Sequence, residues 1–272
     1  MSEWHHGEEP NMRWARYEVD GHVIFGLVEG DELEDVTGDP FAGYERTGRK
    51  RPLGSVPLLV PLEPRTFYAA GLNYVEHIKE QAASRGEEPN FPPDADIGYR
   101  ANNALIAHGQ AIVIPQDATE RMEYEAEIVV VIGKQAKHLT EANALSCVLG
   151  YTIGNDVSER AWQKGDRTMW RAKNSDTFKP MGPWIETELD LDAARTTVRL
   201  NGKQTIDFAT NNMLFNIPYY LARMTRYLTL HPGDMVWMGT EGKSPQIKHG
   251  DDLEIEISGI GVLQNPIVRE GS

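Results

Sequence analysis

Apolar and polar positions alternate in short bursts over the first part of the chain. Arg16-Tyr17-Glu18-Val19, Gly21-His22-Val23-Ile24-Phe25-Gly26-Leu27-Val28 and Glu32-Leu33-Glu34-Asp35-Val36 are separated by glycines and acids, which predicts a small antiparallel sheet. Residues 38–55 are rich in Gly, Pro, Arg and Lys and read as a linker or loop. A short apolar strand at 66–71 is followed by a stretch of helical composition at 72–82. Residues 85–96 hold three prolines and a glycine, which excludes regular structure there. Apolar β-branched runs then recur at 112–115, 128–133, 148–153, 197–200, 235–238 and 253–257, each short enough for a strand. Asn201-Gly202 between two alternating segments predicts a type I′ hairpin. Two helices interrupt the strands. One runs over 140–145 with Thr140 as N-cap, the other over 216–228 with Ile217, Tyr220, Leu221, Met224 and Leu228 at helical spacing. Many strands and few helices predict a β-rich α+β fold.

At 272 residues, with 40% hydrophobic and 25% charged residues, the chain can bury a large core as an ordinary soluble globular protein. Its net charge of −14 argues against a nucleic-acid or anionic-membrane partner. An anionic substrate stays open, because a bound metal reverses the local potential. Cys147 is the single cysteine, so no intrachain disulfide is expected. Its setting, Ala144-Leu145-Ser146-Cys147-Val148-Leu149, favours a small buried hydrophobe over a nucleophile. No apolar stretch is long enough to cross a bilayer. The start, Met1-Ser2-Glu3-Trp4-His5-His6-Gly7-Glu8-Glu9, has no apolar core of a secretory signal, so a cytoplasmic protein is expected. The pair His5-His6 could bind a metal ion, but a frayed terminus is the preferred reading.

Candidate chemistry begins at Glu123-Tyr124-Glu125-Ala126-Glu127-Ile128-Val129-Val130-Val131-Ile132-Gly133. Strand side chains two apart share a face, so Glu125 and Glu127 project together from a run that otherwise reads as buried. Buried carboxylates need compensation, and a divalent cation with oxygen ligands, such as Mg²⁺ or Mn²⁺, supplies it. The pair by itself fits an exposed edge strand equally well. Asp156, in Ile153-Gly154-Asn155-Asp156-Val157, sits where a strand end presents a carboxylate; by itself it reads as a turn or cap. His77 and Glu80 stand at i, i+3 on the first helical stretch, as in a carboxylate-oriented base or on a solvated face. Lys173 alone reads as a surface lysine.

Taken jointly, these segments resemble the fumarylacetoacetate hydrolase family over roughly residues 63–268. The matching stretches are Gly71-Leu72-Asn73-Tyr74 with His77 and Glu80, Tyr124-Glu125-Ala126-Glu127, and Gly150-Tyr151-Thr152 with Asn155-Asp156-Val157-Ser158. They continue with Trp162-Gln163, Lys173, Asp176-Thr177-Phe178, Pro180-Met181-Gly182-Pro183, Asn201-Gly202, Pro232-Gly233-Asp234 and Gly239-Thr240. The resemblance implies a catalytic domain with a mixed β-roll over 63–272, behind a small N-terminal β domain and linker over 1–62, often as a homodimer. It implies Mg²⁺ or Mn²⁺ on Glu125, Glu127 and Asp156, with His77, Glu80 and Lys173 as catalytic groups. Tyr74, Arg100, Gln163 and Thr240 are implied as substrate contacts. The substrates it implies are 2-oxo acids, often acylpyruvates of the fumarylpyruvate type.

The implied chemistry is coherent. A 2-oxo carboxylate chelates a divalent ion, which stabilises the enolate left when a C3–C4 bond breaks, while a base delivers water to C4. Hydrolysis of a 2,4-dioxo acid to pyruvate, or a substituted pyruvate, and a carboxylic acid is the first reading. Isomerisation, decarboxylation or hydration of a 2-oxo or 2-hydroxydienoic acid, as in aromatic-compound catabolism, is the second. A non-catalytic metabolite-binding protein is the third, and the retained His77, Glu80 and Lys173 argue against it. The chain departs from the family's usual pattern at Gly98-Tyr99-Arg100, Ala161, Ser175 and Glu241, the last with Lys243 nearby to offset its charge. These departures predict retained metal chemistry on a less common substrate.

Overall fold

The computed structural model describes residues 11–272; the His5-His6 pair and the acidic start lie outside the described residues. Two sheets dominate. The larger has eleven strands. Its main path runs Gly43–Pro52, Glu32–Asp39, His22–Glu29, Arg13–Val19, Lys179–Glu186, Val148–Asn155, Ala126–Ile132, Met235–Trp237, Phe67–Ala70 and Ile97–Tyr99, and Leu105–Ile106 pairs with Lys179–Glu186. The smaller has five, in the order Lys203–Ala209, Arg195–Leu200, Asp252–Ile257, Gly261–Arg269 and Ile112–Ile114. Most pairs are antiparallel. Phe67–Ala70 runs parallel to Met235–Trp237, and Ile112–Ile114 parallel to Gly261–Arg269. The architecture is the β-rich α+β fold that the strand pattern predicts.

The strand Ala126–Ile132 is buried on both faces, which explains its unbroken apolar run. Ile128, Val130 and Ile132 enter the main core with Ile255, Ile257, Tyr220 and Leu221. Val129 and Val131 enter a second core with Trp14, Leu27, Phe67 and Trp237. Each such side chain contributes about 1.5–3 kcal/mol through burial, so a one-residue slip of register would misplace the whole set. Glu125 and Glu127 belong to the second face by parity.

The remaining elements follow local chemistry. Asn201 and Gly202 adopt φ of 53° and 74°, as the type I′ hairpin requires. Helix Ile217–Tyr227 is capped by Asn216, whose side chain accepts from the Tyr219 N–H, and it buries Ile217, Tyr220, Leu221 and Met224. The helix expected over 72–82 forms at Val75–Arg85 and stops at Gly86, whose φ of 69° is the left-handed region that favours glycine. The helix expected at Thr140 is a 3-10 segment, Glu141–Cys147; Asn143 Oδ1 accepts from the Thr140 N–H at 2.8 Å. Cys147 is buried, and burial pushes its thiol up to about 11, the state of an inert packing residue.

One expectation fails. Much of the stretch 38–55 is no linker: Gly43–Pro52 is a full strand at the edge of the large sheet. Its basic residues meet acids of the neighbouring strands, Arg46 to Glu34 at 2.6 Å and Arg51 to Asp35 at 2.6 Å. A charged edge strand of this kind protects a sheet from further pairing, and its composition imitates a loop.

Candidate active site

Antiparallel pairing of Ala126–Ile132 with Val148–Asn155 sets Ala126 opposite Asn155. The residue beyond each end is then Glu125 on one strand and Asp156 on the other, and the Asp156 N–H donates to the Glu125 carbonyl at 2.9 Å. Glu127 lies on the same face as Glu125. The carboxylates of Glu125, Glu127 and Asp156 offer oxygens within 4.8 Å of one another, and all three residues are buried. Two glycines make room. A Cβ on Gly154 would lie 2.7 Å from the Trp237 ring, and Gly239, at φ +88°, turns its N–H onto Glu127 Oε2 at 2.7 Å.

Cations compensate two of the three acids. Lys173 Nζ donates to Glu125 Oε2 at 2.6 Å and to Asp156 Oδ2 at 2.8 Å. Arg100 reaches Asp156 Oδ2 at 2.8 Å, and Lys179 Nζ reaches Asp156 Oδ1 at 2.6 Å. Arg160 spans Glu125 and Glu123, each at 2.6 Å. Burial works to raise the Asp156 carboxyl, but Arg100, Lys173 and Lys179 outweigh it and hold it well below the usual range. Burial also opposes Glu125, yet Lys173 and Arg160 bring it down to about 2. Among the described residues no cation is salt-bridged to Glu127, and the charge of Lys173 offsets its surroundings only in part. Burial, then the charges of Asp156 and Glu125, push it up to about 8.

That imbalance is the observation that fits a metal. Three hard oxygen donors, close together and short of positive charge at Glu127, suit a divalent ion such as Mg²⁺ or Mn²⁺. Each carboxylate has about four lone-pair positions, so the hydrogen bonds to Lys173, Arg100 and Lys179 do not exhaust them.

A cavity of about 270 Å³ opens over this cluster. Eight of the ten sequence-predicted site residues line it: His77, Arg100, Glu125, Glu127, Asp156, Gln163, Lys173 and Thr240. Glu80 is exposed and lines an adjoining cavity of about 570 Å³ that shares His77, Arg160, Gln163 and Met169. Tyr74 lines neither. Its ring packs on Phe208 and its hydroxyl donates to the Thr210 carbonyl at 2.6 Å. Arg100 is committed: its nitrogens bond Asp156 and the Tyr99 carbonyl. The buried Thr240 hydroxyl has no hydrogen-bond partner within the described protein.

His77 Nδ1 lies 2.7 Å from the Gly242 carbonyl. A carbonyl only accepts, so a proton sits on Nδ1, and Nε2 is the ring nitrogen left to exchange one. The orienting partner at Nδ1 is therefore a loop carbonyl, where sequence spacing pointed to Glu80. Glu241 turns away from both cavities to accept from Asn212 Nδ2 at 3.1 and 3.3 Å, and burial raises its carboxyl.

Sequence reasoning missed Lys179, Arg160 and Glu123. Lys179 is a lone charge at the head of a wholly apolar run, Pro180-Met181-Gly182-Pro183-Trp184-Ile185, and is fully buried. A charge inside a buried strand is the same signal that singles out Glu125 and Glu127. Arg160 and Glu123 carry no such signal, because their roles exist only through each other and Glu125.

Comparisons with known proteins bear on the family and the fold. A family model described as the fumarylacetoacetate hydrolase C-terminal domain matches residues 66–268, and one described as Rv2993c-like, N-terminal, matches residues 12–61. The protein Rv2993c of Mycobacterium tuberculosis is 36% identical over 270 residues, covering 96% of this chain and 99% of that protein. The 4-hydroxyphenylacetate degradation bifunctional isomerase/decarboxylase of Escherichia coli is 36% identical over 262 residues, covering 94% of this chain and 58% of that protein. The crystal structure of a 2-hydroxyhepta-2,4-diene-1,7-dioate isomerase from Mycobacterium marinum superposes with a TM-score of 0.85 at 33% identity, covering 96% of this chain and all of that one. A two-sheet β-rich fold, a buried acidic triad and a family match over three-quarters of the length converge: the chain is an enzyme of the fumarylacetoacetate hydrolase family.

Proposed function

We propose that this enzyme hydrolyses a C–C bond of a 2,4-dioxo acid, giving pyruvate or a substituted pyruvate and a carboxylic acid. Glu125, Glu127 and Asp156 are the proposed ligands of a Mg²⁺ or Mn²⁺ ion. The observation that carries the reading is one cavity lined by three buried carboxylates, a lysine bonded to two of them, and a histidine with its Nδ1 proton fixed by a carbonyl. When bound, the ion supplies Lewis-acid stabilisation of negative charge on substrate oxygens. His77 Nε2 takes a proton from water as the water oxygen adds to the C4 carbonyl. Lys173 uses two of its three N–H donors on Glu125 and Asp156, and the third is available to the C4 oxyanion. Collapse of that oxyanion breaks C3–C4, and the electron pair passes to C3 as the enolate of the 2-oxo acid. A proton delivered to C3 completes pyruvate. The Thr240 hydroxyl and the Gln163 amide hydrogen-bond the substrate's oxygens, and Glu80 stands at the solvent side, where a proton leaves.

The second reading, isomerisation or decarboxylation of a 2-oxo or 2-hydroxydienoic acid, is favoured by the names of the relatives from E. coli and M. marinum. It uses the same enolate without water addition. A panel of 2-oxo acids with Mg²⁺ or Mn²⁺, products resolved by mass, decides. Pyruvate plus a carboxylic acid in equal amounts is the expected result; an isomer of unchanged mass, or carbon dioxide, establishes the second reading instead. His77→Ala is expected to lower kcat by about 10²–10⁴-fold, the usual contribution of general acid–base catalysis. Thermal stabilisation by Mn²⁺ should survive in His77→Ala and disappear in Glu127→Gln; a saturating ion adds about 2.7 kcal/mol at a hundred times its Kd.

A further inference from the structure

The proposed chemistry gives Glu241 no role, yet the fold keeps this acid in a costly place. Its side chain is buried, and its carboxylate accepts from Asn212 Nδ2 at 3.1 and 3.3 Å. Burial raises the carboxyl, and the charges of Glu76 and Glu80 work in the same direction. Lys243, expected to offset the charge, is exposed, and Asn212 is the partner that the structure supplies. A buried acid held by a neutral donor is a costly way to close a loop.

Its neighbours along the chain give the cost a reason. Thr240, just before it, lines the cavity over the three carboxylates. Gly242, just after it, takes φ of +82°, and its carbonyl lies 2.7 Å from His77 Nδ1. Asn212 in turn belongs to a short segment, 210–215, that also grips the start of the helix Val75–Arg85. The Tyr74 hydroxyl donates to the Thr210 carbonyl at 2.6 Å. The Leu214 N–H donates to the Asn73 carbonyl at 2.7 Å, and the Phe215 N–H donates to Asn73 Oδ1 at 3.0 Å. The helix that carries His77 and the loop that holds its Nδ1 are therefore tied to one segment, the loop through Glu241.

We propose that Glu241 is a positioning residue, whose hydrogen bonds to Asn212 latch the loop 240–242 so that the Gly242 carbonyl stays on His77 Nδ1. This deepens the proposed function and rests on His77 as the group that takes a proton there. The carbonyl keeps a proton on Nδ1 and leaves Nε2 to exchange one. Without the latch the carbonyl drifts from the ring, and hydrogen bonds weaken steeply as their angle and length depart from the optimum. The ring proton then divides between the two nitrogens, and only part of the enzyme presents Nε2 as a base.

The test reads the ring itself. Long-range proton–nitrogen NMR at a pH of about 9, well above the ordinary imidazole value, reports which nitrogen of His77 carries the proton. His77→Ala identifies its signals among the eight histidines. Wild type should hold the proton on Nδ1. Glu241→Ala should show it shared between Nδ1 and Nε2, Asn212→Ala should reproduce that change, and the double variant should add nothing to either. Glu241→Gln should restore the wild-type signature, because its amide oxygen accepts from Asn212 as the carboxylate does. Asn212 is exposed, so Asn212→Ala carries the test should Glu241→Ala fail to fold. A wild-type proton on Nε2, a wild-type signature in both alanine variants, or no rescue by glutamine overturns the proposal. On the substrate that the 2-oxo acid panel identifies, kcat of Glu241→Ala should fall about ten- to a hundredfold and recover in Glu241→Gln. A shared ring proton in Glu241→Ala without C–C cleavage of any 2,4-dioxo acid by wild type would instead sink the hydrolytic reading and leave the latch standing.

Discussion

The large sheet carries two ionic networks, one at its edge and one at its centre. At the edge, Arg46 and Lys50 of the strand Gly43–Pro52 pair with Glu29 and Glu34, and Arg51 pairs with Asp35. At the centre, Arg100, Lys173 and Lys179 converge on Asp156, while Arg160 and Lys173 hold Glu125. The bond lengths are alike, but the surroundings differ. The side chains of the Lys50–Glu29 pair are 43% and 41% exposed, and those of the Lys179–Asp156 pair are 0% and 2%. Exposed pairs are screened and contribute little; buried ones are costly to form and costlier to break on one side only. The edge network makes the sheet soluble and ends its pairing. The central one concentrates charge where a ligand can use it.

The sharpest way to break this comparison is Asp156→Ala. It leaves Lys179 fully buried, with, among the described residues, the Val157 and Phe178 carbonyls alone to accept its protons. The expected loss is about 3–5 kcal/mol of unfolding free energy, the range for stranding one partner of a buried pair. Urea denaturation in the presence of a chelator measures it free of any contribution from metal. Asp156→Asn should lose less, because the amide oxygen still accepts from Lys179. A loss for Asp156→Ala below about 1 kcal/mol would place the centre in the same class as exposed pairs.

Asp35 lies between the extremes. It accepts from the Tyr17 hydroxyl at 2.8 Å and from Arg51 at 2.6 Å, and it is buried although its network reaches the surface. Burial works to raise its carboxyl, but the Arg51 and Tyr17 hydrogen bonds outweigh it and hold the group below the ordinary value. A carboxyl depressed by folding contributes stability above its unfolded pKa of about 3.9, lost as pH falls through the folded value. Asp35→Asn should therefore cost about 1–2 kcal/mol at neutral pH, and the gap from wild type should close as pH falls below about 4. A gap that persists into acid would show that packing, not charge, is what the substitution removes.

How far the sequence reveals each region follows from the same contrast. Period-two alternation and two-sided burial make strands such as Ala126–Ile132 readable, because each residue's environment repeats along the chain. The edge strand Gly43–Pro52 is not readable that way; its charges make sense only beside the acids of Glu32–Asp39 and His22–Glu29. At the centre, Glu125, Glu127 and Asp156 stand out as charges in or beside apolar strands, and the structure brings them together. Lys179 gives the same signal more faintly, as one charge ahead of Pro180. Tyr74 shows the opposite limit: a match to a family stretch does not tell which way a hydroxyl points, and here it points to Thr210.

The smallest expected effect tests the edge directly. Lys50 bonds Glu29 at 2.9 Å, and those hydrogen bonds raise its ammonium above the ordinary value. Geometry alone would rank this pair with Lys179–Asp156. Solvent decides otherwise: water competes for both side chains, ordering two long chains costs entropy, and neighbouring Arg46 also serves Glu29 at 2.6 Å. Lys50→Ala should leave the denaturation midpoint within experimental error of wild type at physiological ionic strength, with a displacement resolvable only in low salt, where the Debye length is long. A salt-independent loss comparable to that of Asp35→Asn would mean that the edge strand depends on its ion pairs for register. Pairing of its backbone with Glu32–Asp39 would then be too weak to hold it alone.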